Sequence, residues 1–69
     1  MKIKVNGKEK NIKLENDKAL LSSTLELLGY KTNSVVVEVN ELVINSKKWD
    51  EKVLEDGDRL EIVSIVGGG

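Results

Sequence analysis

The pair Asn6-Gly7 constrains the fold of this chain more than any other feature of its sequence. Apolar and polar residues alternate on both sides of the pair, which is typical of strands with one buried face. The apolar positions of this alternation are Ile3, Val5, Ile12 and Leu14. Asn-Gly readily adopts the positive φ angles of a two-residue hairpin turn. The sequence therefore predicts an N-terminal antiparallel hairpin of two half-buried strands, whose apolar face needs a covering layer.

The period of the apolar residues changes after Asp17 and becomes helical. The side chains that would share one helix face are Leu20, Leu21, Thr24, Leu25, Leu27 and Leu28. Asn16 or Asp17 is a suitable N-cap, because either side chain accepts hydrogen bonds from first-turn amides. Gly29 stands where a left-handed residue ends a helix. We expect a helix of about three turns, with its leucine face packed on the sheet.

Strand patterns return in the second half of the chain. Residues 34–40 alternate, with Val35, Val37 and Val39 predicted to point inward and Val36 and Glu38 outward. A short strand at 42–44 and one helical turn at 46–49 should follow, with Trp49 folded over the edge of the core.

Asp56-Gly57-Asp58 is a turn signal that precedes the last predicted strand, residues 59–66. The residues expected on one face of this strand are Leu60, Ile62, Ser64 and Val66. Those expected on the other face are Arg59, Glu61, Val63 and Ile65.

The order of these elements predicts an α+β fold, the ubiquitin-like β-grasp, with a mixed four- to five-stranded sheet packed on one helix. A chain of 69 residues forms one small domain, which we assign to residues 1–66, followed by a flexible glycine tail at 67–69. The last strand should lie centrally, parallel to the first and beside the third. The residues expected to face the helix are Ile3, Val5, Val35, Val37, Val39, Leu60 and Ile62.

Composition narrows the function classes. The chain has no His and no Cys, which removes the commonest general base, the usual thiol nucleophile and most transition-metal ligand sets. Asp56 and Asp58 flank a turn glycine, so a solvated turn is favoured over an acid/base pair. Calcium would require more oxygen ligands than this turn offers. We therefore expect a protein that is not itself an enzyme and that has no metal or other cofactor.

Charge and hydropathy indicate where the protein is located and which classes of partner it can bind. The net charge is −1, with one Tyr, one Trp and no Phe, whereas nucleic-acid binding needs a basic surface and stacking aromatics. The N-terminus lacks the apolar core of a signal peptide, and no apolar run is long enough to span a bilayer. These observations predict a soluble, cytoplasmic protein that binds neither nucleic acid nor membrane.

The sequence ends in Gly67, Gly68 and Gly69. One interpretation is a frayed or artificial extension. The other is functional, because glycines have no Cβ and can thread a narrow channel to deliver the Gly69 carboxylate to another protein's active site. Adenylation with ATP would activate that carboxylate. Attack by an amine would then give an isopeptide-linked conjugate, and attack by a sulfur donor would give a thiocarboxylate. The residues alone do not distinguish these two outcomes.

The stretch "VVVEVNELVINSKKWDEKVLEDGDRLEIVSIVGGG", residues 35–69, resembles the ThiS family of sulfur carriers in thiamin biosynthesis. The shared features are the valine strand with its Asn, the Trp before an acidic stretch, the DGD turn, the EIV strand and the VGGG end. The molybdopterin-synthase small subunit and the ubiquitin-related modifiers also end in Gly-Gly, but they are longer. One departure is Glu41, where the family often has Gly after Asn40, so we expect Asn40 alone to take positive φ.

The resemblance implies that a ThiF-type activating enzyme adenylates Gly69 with ATP and Mg²⁺. It further implies that the resulting thiocarboxylate donates sulfur to the thiazole ring on thiazole synthase. Gly67 and Gly68 would form a slim tether that threads the partner's active site. The alternatives are a ubiquitin-like protein modifier and a sulfur carrier of the molybdopterin-synthase small-subunit type.

The strand alternation also predicts a docking surface for a partner. Val36, Val63 and Ile65 should point away from the helix and converge next to the tail, as an apolar stripe that nothing in this chain covers. Acidic residues could meet basic residues of the activating enzyme around this stripe. These acids are Glu55, Asp56, Asp58 and Glu61.

Overall fold

The structure is a computed structural model that describes residues 1–13 and 19–65. Its elements are β1 (Lys2–Val5), β2 (Lys8–Asn11), α1 (Leu21–Leu27), β3 (Val35–Val39), β4 (Leu42–Ile44) and β5 (Arg59–Ser64), with short 3-10 helices at Thr32–Ser34 and Ser46–Lys48. The five strands form one sheet in the order β2-β1-β5-β3-β4. β5 runs parallel to β1 and antiparallel to β3. The predicted α+β architecture, with the last strand in the centre, is confirmed.

The core lies between the sheet and α1, and the residues predicted to face the helix are buried. All seven of them are at most 7% exposed: Ile3, Val5, Val35, Val37, Val39, Leu60 and Ile62. Trp49 is folded inward as predicted, at 5% exposure. Its indole Nε1 donates to the Ile44 carbonyl at 3.0 Å, so the buried ring keeps its polar atom satisfied.

The N-terminal hairpin forms, but its second strand differs from the prediction. Asn6 and Gly7 take φ angles of 51° and 82°, and this two-residue turn sets Val5 opposite Lys8. β2 therefore covers Lys8–Asn11, and all of its side chains are exposed. Ile12 is buried just beyond the strand, and Leu14 lies outside the described residues. Charged side chains on this edge strand discourage pairing with another chain.

The helix is shorter than the predicted three turns. It covers Leu21–Leu27, with Leu20 as its N-cap, and the predicted caps Asn16 and Asp17 lie outside the described residues. Leu20 has an extended backbone and forms an antiparallel bridge with Val53. The Leu21 amide donates to the Lys52 carbonyl at 2.8 Å. Pairing with this distant segment therefore occupies residues that the apolar period had assigned to the first turn.

The far end of the helix is as predicted. Gly29 has a φ of +85°, and its amide donates to the Glu26 carbonyl at 3.0 Å. The predicted apolar face is correct for Leu21, Thr24 and Leu25, which are fully buried. Leu27 is instead 54% exposed, because two residues after Leu25 a helix has turned through more than half a circle.

The turn between β3 and β4 corrects the expectation that Asn40 alone takes positive φ. Asn40 and Glu41 have φ angles of 50° and 72°, since a two-residue hairpin of this type needs positive φ at both central positions. Asn40 donates through Nδ2 to Asp58 Oδ1 at 3.0 Å. It also accepts from the Arg59 amide at 3.0 Å. The turn is thereby tied to the start of β5.

Within the described residues, no helix has the length and apolar character that a membrane crossing would require.

Candidate functional site

The candidate site begins with β5, the central strand that leads toward the glycines. One edge of β5 pairs with β1 and the other with β3. The Ile65 amide donates to the Ser34 carbonyl at 2.7 Å, which continues the pairing with this side of the sheet one residue past the strand. Gly67, Gly68 and Gly69 lie outside the described residues, so their role stays a prediction.

The three residues predicted to form a docking stripe lie together on the sheet face that points away from α1. Val36 and Val63 are directly opposite each other in the β3–β5 register, and Ile65 follows on the same side of β5. The exposed fractions of Val36, Val63 and Ile65 are 38%, 57% and 56%. We call Val36, Val63 and Ile65 the outer stripe.

Val43 extends the apolar surface and was missed by the sequence analysis. It is 61% exposed on β4 and lies opposite Glu38, which places it on the same face as Val36. A groove of about 250 Å³ is lined by Val36, Val43 and Trp49 among others. The all-apolar strand Leu42–Ile44 was the available signal, because a strand at the edge of a sheet cannot bury both of its faces.

Of the four acidic residues named with the stripe, Glu55, Asp56 and Asp58 lie in the turn before β5, and Glu61 lies on β5 itself. Asp56 accepts from the Lys2 amide at 2.6 Å, and Asp58 accepts from the Glu55 amide at 2.8 Å. These two carboxylates therefore stabilise the turn before β5. Glu61 lies on the outer face, directly opposite Glu38 on β3. Like charges in this position repel each other, so a cation on a partner would be favoured beside the outer stripe.

The side chains offer little chemistry of their own. The chain contains no His and no Cys. Across residues 1–13 and 19–65, no group of three or more His, Cys, Asp or Glu residues could hold a metal ion. The arrangement thus combines an exposed apolar face with a central strand that leads to a glycine end, which suits recognition by a partner.

Comparison with known proteins gives relatives that match over nearly the whole of this chain. The sulfur carrier protein ThiS of Bacillus subtilis is 33% identical over 67 residues, which cover 97% of this chain and 98% of the relative. The crystal structure of the thiamine biosynthesis protein ThiS from Geobacter metallireducens superposes with a TM-score of 0.83 at 28% identity, with both chains fully covered. The fold prediction is thereby confirmed by a solved structure.

A third relative is a larger protein. The thiazole synthase of Paramagnetospirillum magneticum is 33% identical over 69 residues, which are all of this chain and 20% of the synthase. This chain therefore spans only about a fifth of that relative. The model of the ThiS family matches residues 3–69. Together with the full-length relatives, this match shows that the chain belongs to the ThiS family, the sulfur carriers of thiamin biosynthesis.

Proposed function

We propose that this chain carries sulfur as a thiocarboxylate on Gly69. A carboxylate oxygen of Gly69 attacks the α-phosphorus of ATP on an activating enzyme, and pyrophosphate leaves. Hydrosulfide from a sulfur donor then attacks the acyl carbon, AMP leaves with the bridging oxygen, and the resulting thioacid loses its proton to become the thiocarboxylate. The chain is the substrate of these steps, and the catalytic groups belong to its partners.

The observation that carries this proposal is the position of β5. The strand lies in the middle of the sheet, and its pairing with β3 runs as far as Ser64, so the described end of the strand is held against the sheet. The outer stripe is exposed next to that point. A partner that binds the stripe would therefore receive the glycines in a defined direction, with Gly67 and Gly68 as the tether in its active site.

The proposed partners are a ThiF-type adenylating enzyme and thiazole synthase. Support for the second comes from the synthase of Paramagnetospirillum magneticum, in which a segment similar to this whole chain is part of the synthase itself. Such a fusion supports the proposal that this chain and a thiazole synthase act together. The proposal includes a cytoplasmic location, where ATP is available for the first step.

The direct test is an intact-mass measurement. After incubation with ATP, Mg²⁺, a ThiF-type enzyme and a sulfur source, the mass should rise by the difference between one sulfur and one oxygen atom. Omission of ATP should abolish the gain. An unchanged mass with a cognate enzyme would contradict the proposal, and isopeptide-linked adducts on lysines of other proteins would favour a ubiquitin-like modifier instead.

The outer stripe should contribute to binding of the activating enzyme. We expect the double variant Val63→Thr, Ile65→Thr to raise the KM of the carrier in adenylation about tenfold, since each buried methylene or methyl group contributes about 0.8 kcal/mol. The β-branched side chains preserve the strand. Steady-state assays of pyrophosphate release measure the change.

Val53→Thr is the matched control. Val53 is also exposed, at 47%, but it pairs with Leu20, ahead of the helix, and does not belong to the outer stripe. The Val53→Thr variant should therefore have the same KM as the wild type. A double variant with an unchanged KM would show that the enzyme binds elsewhere on the chain.

A further inference from the structure

The side chain of Asn6 makes a contact that its role in the hairpin turn does not require. Its Oδ1 accepts from the Ile62 amide at 2.7 Å. Its Nδ2 donates to the Ile62 carbonyl at 3.2 Å. The side-chain amide thus binds both backbone groups of one β5 residue, as a neighbouring strand would, and the contact joins residues 56 positions apart.

The backbone hydrogen bonds of β5 show why this contact matters. The backbone groups of alternate residues point to opposite edges of the strand. The backbone amide of Asn40 donates to the Arg59 carbonyl on the β3 side, and the backbone amide of Asn6 donates to the Leu60 carbonyl on the β1 side. The register of β1 with β5 ends at Val5 and Leu60. Beyond that point, the side chain of Asn6 holds the β1-facing edge of β5 at Ile62.

We propose that Asn6 is a positioning residue for the reaction at Gly69, an inference that rests on the proposed function. The side-chain amide of Asn6 fixes the direction in which β5 leaves the sheet. It thereby fixes where the Gly69 carboxylate arrives when a partner occupies the outer stripe. Ile65 lies about 10 Å beyond Ile62 at about 3.3 Å per residue. A rotation of about 10° at Ile62 would therefore move Ile65 by about 2 Å.

Displacements of this size matter more for the reaction than for binding. A misplacement of about 1 Å at a reacting centre can lower a rate about a hundredfold. Binding to the outer stripe tolerates more, because apolar contact is not directional. Loss of the side-chain amide of Asn6 should therefore lower kcat and leave KM nearly unchanged.

The test compares Asn6→Gly with Asn40→Gly. Glycine keeps the positive φ in both hairpin turns, where Asn6 and Asn40 have nearly the same φ, 51° and 50°. Both variants also lose two side-chain hydrogen bonds. The bonds of Asn40 reach Asp58 and Arg59 at the start of β5, far from its exit. Asn40→Gly thus controls for the stability of a hairpin turn.

For Asn6→Gly we expect kcat for adenylation to fall about a hundredfold, with KM within about twofold of the wild type. Hydrogen exchange of the Ile62 amide should also become faster in that variant. Asn40→Gly should retain the wild-type kcat, and exchange at Ile62 should stay slow. All assays are made at a temperature at which circular dichroism shows each variant folded.

Asn6→Asp is a second, conservative variant. Its carboxylate keeps an acceptor for the Ile62 amide but has no donor for the Ile62 carbonyl, so kcat should fall between those of Asn6→Gly and the wild type. An unchanged kcat in Asn6→Gly, or an equal loss in Asn40→Gly, would overturn the positioning role. A wild-type chain that is never adenylated would instead contradict the proposed function.

Discussion

A chain without Gly68 and Gly69 is expected to fold normally and to acquire no sulfur. Every buried hydrophobic residue of the described structure lies at or before Ile62, and the truncation removes two glycines, which have no side chain to contribute to a core. The shortened chain still ends in a glycine carboxylate, but that group stops about 7 Å short of its normal reach, at about 3.3 Å per residue. In the proposed reaction it cannot meet ATP on an enzyme that holds the outer stripe.

Intact mass after incubation with the activating enzyme, ATP and a sulfur source measures the loss directly. Complementation of a thiamin auxotroph measures it in cells, where the truncated chain should fail and the full chain succeed. Urea denaturation should give the same midpoint for both chains. A truncated chain that still complements would mean that the glycine end is not the working part, as for an inert interaction module.

The variant Gly69→Ala tests whether the tail must be slim as well as long enough. This variant keeps the length and the terminal carboxylate but adds a Cβ, which a narrow channel would exclude. We expect Gly69→Ala to be adenylated more slowly than the wild type but faster than the truncated chain. Equal rates for Gly69→Ala and the wild type would show that length matters and slimness does not.

The sequence was sufficient to predict most of the sheet, because the sheet depends on local signals that agree with one another. The turn at Asn6 and Gly7 sets the N-terminal hairpin, and the alternation in β3 and β5 assigns their two faces without reference to the rest of the chain. The outer stripe followed from the same alternation. The prediction that Val36 lies beside Val63 and Ile65 required only that β5 lie beside β3, and the structure adds the register, in which Val36 is directly opposite Val63.

The errors arose where distant segments decide local structure. Leu20 fits a helical apolar period, yet it pairs with Val53, which lies far along the chain. The neighbouring Ala19 carbonyl accepts from the Leu54 amide of the same segment. Leu54 is a buried core residue outside any strand, and no apolar period had indicated it. Periodicity identifies residues that face a core from a regular element, so irregular segments that complete the core escape it. Asn6 shows the same limit, since its turn was predicted and its contact with Ile62 was not.

Leu25→Ala should be the most destabilising of the truncations considered for the helix. Leu25 is 0% exposed, and replacement of a buried leucine by alanine costs about 2–5 kcal/mol. At about 0.05–0.15 kcal/mol per residue, a chain of 69 residues has a free energy of unfolding of only about 3–10 kcal/mol. The variant should therefore be partly or largely unfolded at 37 °C, and unable to receive sulfur for that reason alone.

Leu27→Ala is the matched control on the same helix, because the same atoms are removed from a side chain that is 54% exposed. It should change the free energy of unfolding by no more than about 0.5 kcal/mol. Urea denaturation followed by fluorescence of Trp49, which is the only Trp and is 5% exposed, measures both variants. Equal losses would contradict the helix register. A large loss for Leu25→Ala alone would show that the leucine face of α1 supports the sheet whose central strand bears the glycine end.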